Sequence, residues 1–509
     1  VTEAALFSLY DRTGAIELAR ALVARGMPIY ATGGTRAHLV EAGIDAHDVG
    51  ELTRYPSLFD GRVKTLHPAI FGAILADRGN AEHEAERRTH GVPRIGVVAV
   101  NLYPFEATIA RENATLEEAI EQIDIGGVAL LRAAAKNFAH VTVLSSPEQY
   151  ASVTEAPAGY VARRLLATAA FERTAEYDSS IARYLEAGLA AADLPGSLAL
   201  TLPLASPLRY GENPQSRAAF YLSRTESLPE QLGGKALSYN NLLDLDATLR
   251  LLVREVDDSP AGLVRAAIVK HTVPCGVAER ESAADAARLA LDADRVSAYG
   301  GIIALDGAVD AATADVLSGV FLEIVAAPAF DAAAIDRLRA KKNLRIIRYD
   351  PRLPLRLARE LRVRSALGGV LAEDDDPNFA PESWRTASAR QPTDAEWRDL
   401  RFAWDIVRHV KSNGIVIVRD HVTRGICAGQ TNRVSAVQIA AHRAGDAARG
   451  AACASDGFFP FADGLEAAAA AGCTAVIAPQ GSIRDAEVIA AADRLGIALV
   501  FSTHRYFLH

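Results

Sequence analysis

The chain predicts an α/β fold in two domains, and three features of its 509 residues predict it. Short apolar runs alternate with helical patterns through the first 150 residues. The same alternation returns in the rest of the chain after a break rich in proline. Polar and cationic residues gather where the apolar runs end. Strand–loop–helix succession builds a parallel sheet with helices on both faces, and such sheets take ligands beyond the carboxyl ends of their strands.

Ala4–Leu9 is the first strand, Asp11-Arg12-Thr13-Gly14 a loop, and Ala15–Arg25 a helix stopped by Gly26. Pro28–Ala31, the loop Thr32-Gly33-Gly34-Thr35 and a helix to Ala42 repeat the theme, with Gly43 as C-cap. Ile95–Val100 is a strand ending at Asn101-Leu102-Tyr103-Pro104-Phe105. Thr115-x-x-Glu118 is a capping box opening a helix toward Ile123. Asp124-Ile125-Gly126-Gly127 interrupts it, a second helix runs from Val128 to Lys136, and a long one covers Ala162 to Leu189. Pro195, Gly196, Pro203 and Pro207 make Ala192–Pro207 a linker, so the domains are 1–195 and 196–509.

In the second domain Leu263–Val269 is a strand that runs into Lys270-His271. Thr393-x-x-Glu396 caps a helix whose Trp397, Leu400, Trp404 and Val407 recur at core spacing, and Asn413-Gly414 ends it. Strands Ile415–Arg419 and Thr423–Ala428, a loop Gly429–Asn432 and a helix from Val434 follow. Strand Ala475–Ala478, loop Pro479–Ser482, helix Asp485–Leu495 and strand Ile497–Phe501 come last. This recurrence is compatible with an internal duplication, although no matching residue pattern marks one. The acidic run Glu373–Asp376 is a solvated loop.

A net charge of -9 and a pI near 5.8 argue against a nucleic-acid binder working through a general basic field. Anions must then be caught by local clusters. Cys275, Cys427, Cys453 and Cys473 form no C-x-x-C pair, so neither a zinc knuckle nor a disulfide framework is expected, and a reducing cytoplasm fits. No secretory leader is expected before the first strand. The most apolar run, Ala467–Pro479, is too short to span a bilayer, so a soluble protein without membrane partners is expected.

Gly61-Arg62-Val63-Lys64-Thr65-Leu66-His67-Pro68 is the most informative stretch. In an extended segment Arg62 and Lys64 share one side, where a planar fork and a point charge suit a phosphate. A solvated basic loop is the competing explanation. Thr32–Thr35, at a strand-to-helix turn, adds backbone that can approach a phosphate. With Asn101, Tyr103, Asp124 and Lys136 these residues make an anion cradle beside groups that move protons. Lys136 is equally an ordinary lysine complementing a helix dipole. Helical rise separates it from Asp124 by about 12 Å or more, so the two would address different parts of a ligand. Lys270-His271 pairs a fixed ammonium with a base, provided the strand breaks between them, and Pro274 and Gly276 permit that. A structural histidine beside an exposed lysine is the alternative.

The segments Asp11–Gly14, Gly61–Pro68, Asn101–Phe105, Gln122–Gly127, Arg132–Asn137, Leu208–Pro214, Val269–His271 and Asp456–Phe461 occur in the order found in one family. From about Ala5 to His509 the chain resembles the bifunctional purine-biosynthesis enzymes that join AICAR formyltransferase to IMP cyclohydrolase. The resemblance implies a methylglyoxal-synthase-like cyclohydrolase domain over 1–195. It also implies a formyltransferase domain of two cytidine-deaminase-like units over 196–509. The zinc-deaminase signature is missing, since Pro274-Cys275 has no second cysteine at the required spacing, so no catalytic metal is expected.

By the same resemblance Lys270 stabilises the transition state of formyl transfer from 10-formyltetrahydrofolate, and His271 is its base. Arg209, Tyr210, Asn413, Arg433 and Arg505 would hold AICAR, and Val434, Phe458, Asp463, Ser482 and Ile483 the folate. Asp11, Arg12, Thr32, Gly33, Gly34, Thr35, Arg62, Val63, Thr65, Asn101 and Ile125 would bind the product FAICAR and IMP. Lys64, Tyr103, Asp124 and Lys136 would serve ring closure. A cytoplasmic homodimer with transformylase sites at the subunit interface is implied, without nucleic-acid partners. Tyr10, Phe71 and Gly301 depart from residues common in relatives and receive no role. A nucleotide-sensing module and a zinc deaminase are the competing classes, tested by a Lys136→Ala variant and by metal analysis.

Overall fold

The computed structural model describes residues 3–55, 59, 63–111, 113–187, 194–223, 226–254, 262–374 and 382–509. Arg62, the start of the linker at 192–193 and the acidic residues 375–376 lie outside them. The chain forms two compact units, Val1–Pro203 with Leu222–Ser227 and Leu204–Tyr221 with Leu228–His509.

The first unit holds strands β1 (Glu3–Leu9), β2 (Ile29–Ala31), β3 (Ala46–Asp48), β4 (Arg94–Asn101) and β5 (Thr142–Leu144). They form one sheet in the order β3-β2-β1-β4-β5, every pairing parallel. Strand residues alternate between two cores: Leu6, Val98 and Val100 face one helical layer, while Ala5, Phe7, Val97 and Ala99 face the other. That burial on both faces is why the strands appear as apolar runs rather than alternating ones. Order reverses between β1 and β4, which makes their carboxyl ends the switch point where a ligand crevice forms.

Two helix boundaries differ from the sequence expectation. Gly33–Thr35 is the first turn of helix Gly33–Glu41, with only Thr32 outside it, and Gly126-Gly127 begins helix Gly126–Lys136. At Gly34, Gly126 and Gly127 close neighbours leave no room for a side chain, whereas Gly33 faces open space. The proline-bearing linker also ends early: residues 204–208 are a strand paired with 218–221.

The second unit holds β6 (Leu204–Leu208), β7 (Ala218–Tyr221), β8 (Glu230–Gly233), β9 (Val264–Lys270), β10 (Val273–Arg280), β11 (Ile302–Leu305), β12 (Ile324–Ala327) and β13 (Arg345–Arg348). After a hairpin of β14 (Arg362–Ala366) and β15 (Gly369–Glu373) come β16 (Trp384–Thr386), β17 (Ile415–Val418), β18 (Thr423–Cys427), β19 (Ala452–Ser455), β20 (Ala475–Pro479) and β21 (Ala498–Ser502). The two large sheets have orders β10-β9-β11-β12-β13-β8 and β18-β17-β19-β20-β21-β16. They correspond strand for strand, so the second unit is an internal duplication.

Core composition shows how the halves pack. Ala267 and Val269 of β9 share a core with Val416 and Val418 of β17, whereas Ala266, Ile268, Ile415 and Ile417 face outer helices. Helices Tyr239–Arg250 and Asp394–Val407 contribute to that shared core, which holds the fully buried Trp404. The predicted capping box Thr393/Glu396 opens the second of these helices, and the helix ends at Val407, before Asn413.

Candidate active sites

At the β1/β4 switch point lies a cleft of about 660 Å³. It is lined by Arg12, Thr32–Thr35, Lys64, Thr65, Asn101, Tyr103, Asp124 and Ile125, residues that stand in five separate segments of the sequence. Thr32 precedes helix Gly33–Glu41 without a side-chain cap, so the helix offers its first N–H groups to an anion. A Cβ at Gly34 would stand 2.7 Å from the Arg12 guanidinium, so glycine lets that cation lie over the helix start.

Asp124 is the most constrained group of this cleft. Its Oδ1 accepts the Gly127 N–H at 2.6 Å, and the carboxylate also accepts the Tyr103 N–H. A Cβ on Gly127 would come within 2.4 Å of Oδ2. The Asp124 N–H donates to the buried Tyr177 hydroxyl at 2.9 Å, which donates to the Gln122 carbonyl at 2.6 Å. Burial raises the Asp124 pKa above the usual carboxylate range despite the two N–H bonds that lower it. Burial also raises the Tyr103 phenol, with Asp124 adding to the effect. Burial therefore shifts both groups toward their protonated forms.

Several predicted residues do other work. Asn101 accepts the N–H groups of Tyr10 and Asp11 and donates to the Asp11 carbonyl, so its amide fixes the loop after β1. Thr35 exchanges hydrogen bonds with the backbone of Leu9 and is buried, leaving only its main chain for a ligand. Asp11 accepts the Thr13 N–H, and that bond lowers its pKa. Val63 is exposed beside the cleft residue Lys64. Lys136 is not among the residues that line this cleft. It ends helix Gly126–Lys136 and lines a neighbouring apolar groove of about 860 Å³ with Phe71, Leu75 and Phe171, sharing only Asp124, Ile125 and Ile123 with the first cavity. The helical rise that raised the spacing difficulty is the cause. Sequence reasoning missed Gly126, Gly127 and Tyr177; the glycine pair directly after Asp124-Ile125 was the available signal.

In the second unit, Lys270 is the last residue of β9 and His271 the first of a two-residue turn to β10. His271 and Thr272 have φ of 57° and 59°, the left-handed pair of a type I′ hairpin turn. Such conformations cost on the order of 1 to 3 kcal/mol per non-glycine residue and need support. Asp244 supplies it from helix Tyr239–Arg250, accepting the His271 N–H at 3.2 Å and the Thr272 N–H at 2.6 Å. The strand thus breaks where joint action of lysine and histidine requires it. Lys270 donates to the Tyr299 carbonyl at 2.7 Å, and the imidazole is exposed.

The duplicated half repeats this arrangement. Asp420 and His421, with φ of 57° and 52°, turn β17 into β18, and Asp399 accepts both of their N–H groups at 2.9 Å. Strands β10 and β18 meet antiparallel at Ala278 and Val422, so the β9–β10 tip runs toward the carboxyl end of β18. Beyond the carboxyl ends of β18, β19, β20 and β21 come Arg433 and Val434, Phe458 and Asp463, Ser482 and Ile483, and Arg505 respectively, with Asn413 just before β17.

Arg433 is buried and donates to Asp456 at 2.5 Å and Ser455 at 2.7 Å, so its charge is already balanced inside the chain. Ser412 also donates to Asp456. Asn413 donates its N–H and side-chain amide to the Gln430 carbonyl. The Arg505 guanidinium lies 4.7 Å from the Phe507 ring, and a Cβ at Gly457 would touch both that ring and Arg433. The aromatic pair at 458–459 divides: Phe459 is core against Gly464, whereas Phe458 is partly exposed. Ile483 is fully exposed, an apolar side chain available to a ligand. Asp463 and Ser482 start local turns through Gly464 and Arg484. Arg209 and Tyr210, after β6, pair with each other, guanidinium to hydroxyl at 2.6 Å. Phe507 was missed, having no motif around it.

Among the described residues no three His, Cys, Asp or Glu side chains group as metal ligands, and no helix is long and apolar enough to cross a membrane. A parallel switch-point cleft with an uncapped helix start, together with a duplicated α/β unit that presents Lys-His on a left-handed turn, marks a two-part α/β enzyme of small molecules. Family models match as an MGS-like domain over 14–129 and as the AICARFT/IMPCHase bienzyme over 134–443. The chain is 47% identical to the bifunctional purine biosynthesis protein PurH of Synechococcus elongatus, covering 99% of both chains. It is 46% identical to that of Roseobacter denitrificans and 44% identical to that of Bacillus subtilis, each over 99% of this chain and 98% and 99% of theirs. The chain belongs to the AICARFT/IMPCHase bienzyme family, the bifunctional enzymes of purine biosynthesis.

Proposed function

We propose that this chain carries out both steps with the side chains described above. The second unit transfers the formyl group of 10-formyltetrahydrofolate to the 5-amino group of AICAR. That amine is a weak nucleophile because its lone pair is delocalised into the imidazole and carboxamide. His271 takes the proton as the nitrogen attacks, Lys270 stabilises the oxyanion, and the tetrahedral adduct collapses as His271 returns that proton to N10, which leaves as tetrahydrofolate. Arg505, Arg209, Tyr210 and Asn413 would orient the nucleotide. The exposed Ile483 and Phe458 would pack on the folate.

The first unit then closes the ring of FAICAR to IMP. The carboxamide nitrogen attacks the formyl carbon, and the resulting hydroxyl leaves as water. Asp124, its pKa raised by burial, would donate to the leaving hydroxyl, with Tyr103 as a hydrogen-bond donor beside it. Arg12, Lys64 and the start of helix Gly33–Glu41 would hold the phosphate. The observation that carries the reading is the convergence of Lys64, Tyr103 and a largely buried Asp124 on one switch-point cleft. Lys136 keeps a place only through Asp124, which both cavities share; unchanged cyclisation in Lys136→Ala would remove it. Family membership supports a cytoplasmic homodimer with transformylase sites shared between subunits.

The test supplies AICAR and 10-formyltetrahydrofolate while following FAICAR and IMP. Lys270→Ala is expected to abolish FAICAR formation yet still cyclise added FAICAR. Asp124→Asn is expected to accumulate FAICAR, with cyclisation slowed by roughly 100-fold or more. Wild-type protein that forms neither product sinks the proposal.

A further inference from the structure

The two halves of the second unit use one device twice, and only one copy carries an imidazole open to a substrate. In each half a carboxylate one turn into the helix before the hairpin takes both N–H groups of a left-handed dipeptide: Asp244 for His271-Thr272, Asp399 for Asp420-His421. Lys270 and Arg419 occupy equivalent places before these turns, and Gly276 and Gly425 stand six residues further on in each. At the second turn every polar side chain is engaged. Arg280 donates to the Asp420 carboxylate at 2.9 Å, and the His421 ring meets Glu279 at 2.9 Å. At the first turn the imidazole is exposed.

From this contrast we propose that Asp244 is a positioning residue for formyl transfer. Resting on the assignment of His271 as base, the proposal gives Asp244 a task beyond holding the hairpin. Its carboxylate fixes the φ of His271 and with it the direction in which the imidazole leaves the turn. β-branched Thr272 strongly resists the left-handed region, so without the clamp the turn has reason to relax. A relaxed turn would displace the base from the amine while leaving the phosphate-binding cations untouched. Positioning losses of this kind fall on kcat. Asp399 provides an internal control, since it makes the same two bonds to a turn whose own side chains are tied up in ion pairs.

The experiment compares Asp244→Ala, Asp244→Asn, Asp399→Ala and Asp399→Asn in the full chain, with Lys270→Ala and His271→Ala alongside. Expected for Asp244→Ala is a loss of roughly 10- to 100-fold in transformylase kcat, with KM for AICAR changed less than about threefold. Asp244→Asn, which keeps one acceptor, should lose less, and cyclisation of added FAICAR should be unchanged in both. The Asp399 variants should lower the unfolding temperature comparably yet keep transformylase kcat within about twofold. Should an Asp244 variant fail to fold, the isosteric asparagine decides. Wild-type kcat in Asp244→Asn, a change confined to KM, or an equal kcat loss in Asp399→Asn overturns the proposal. Undiminished transfer in His271→Ala instead overturns the assignment of the base.

Discussion

Gly127 shows how a residue without a side chain sets the chemistry of its neighbour. A methyl group there would lie 2.4 to 3.0 Å from all three carboxyl atoms of Asp124, while in a helix interior alanine is favoured over glycine by about 1 kcal/mol. Gly127→Ala is therefore expected to leave the melting temperature nearly unchanged and to slow cyclisation by roughly 10-fold or more as the carboxyl is pushed aside. Cyclisation at the wild-type rate would show that Asp124 does not need this position. At this scale the sequence reveals which residue types cluster but not what each one bonds to. Arg12 and Tyr103 were legible because each follows a strand whose end faces the cleft, Lys64 because it stands in the cationic stretch Gly61–Pro68, and Asp124 because it interrupts a helical pattern before a glycine pair. Asn101, Thr35 and Arg433 looked alike in sequence, yet their polar atoms are engaged by Asp11, Leu9 and Asp456. Those partners lie 23 to 90 residues away, beyond any local pattern.

Strands and helices were legible almost throughout, because apolar runs and capping boxes are local signals; helix Asp485–Leu495 matches its expected bounds. The duplication was legible only as recurrence. Its equivalent tripeptides, Lys270-His271-Thr272 and Arg419-Asp420-His421, match at no position, and what they hold in common is backbone conformation. Glycine preserves one trace. A Cβ at Gly276 would stand 2.1 Å from the Ala290 carbonyl oxygen, and one at Gly425 would stand 2.0 Å from that of Ala440. In both halves, then, the second hairpin strand presses on the following helix so closely that only hydrogen fits. Gly276→Ala and Gly425→Ala should each cost about 1 to 3 kcal/mol by forcing strand and helix apart, measured as a lower urea midpoint. Cyclisation in the first unit serves as the activity control. Neutral effects at both positions would show that the packing relaxes without cost.

For the molecule as a whole, one buried carboxylate ties the duplicated halves together. Glu279 of β10 accepts from Arg265 at 2.8 Å and Arg254 at 2.9 Å and meets the His421 ring of the other half at 2.9 Å. Arg265, equally buried, reaches on to Asp405 at 3.2 Å and lies over Phe402. Burial alone would raise the Glu279 pKa, but His421, Arg265 and Arg254 outweigh it and hold it at about 2, below the ordinary 4.5. A carboxylate depressed in this way adds stability above its unfolded pKa and loses it as the pH falls through the folded one. The contribution is therefore complete above about pH 4.5 and fades toward pH 2. Glu279→Gln removes the charge from a cluster that keeps its arginines, which costs about 3 to 5 kcal/mol at neutral pH. Paired urea titrations of both proteins should then converge as the pH drops from 4.5 toward 2, because protonation makes the wild type resemble the variant. A difference that stayed constant across that range would mean that the charge on Glu279 does not stabilise the join, leaving its hydrogen bonds alone to do so.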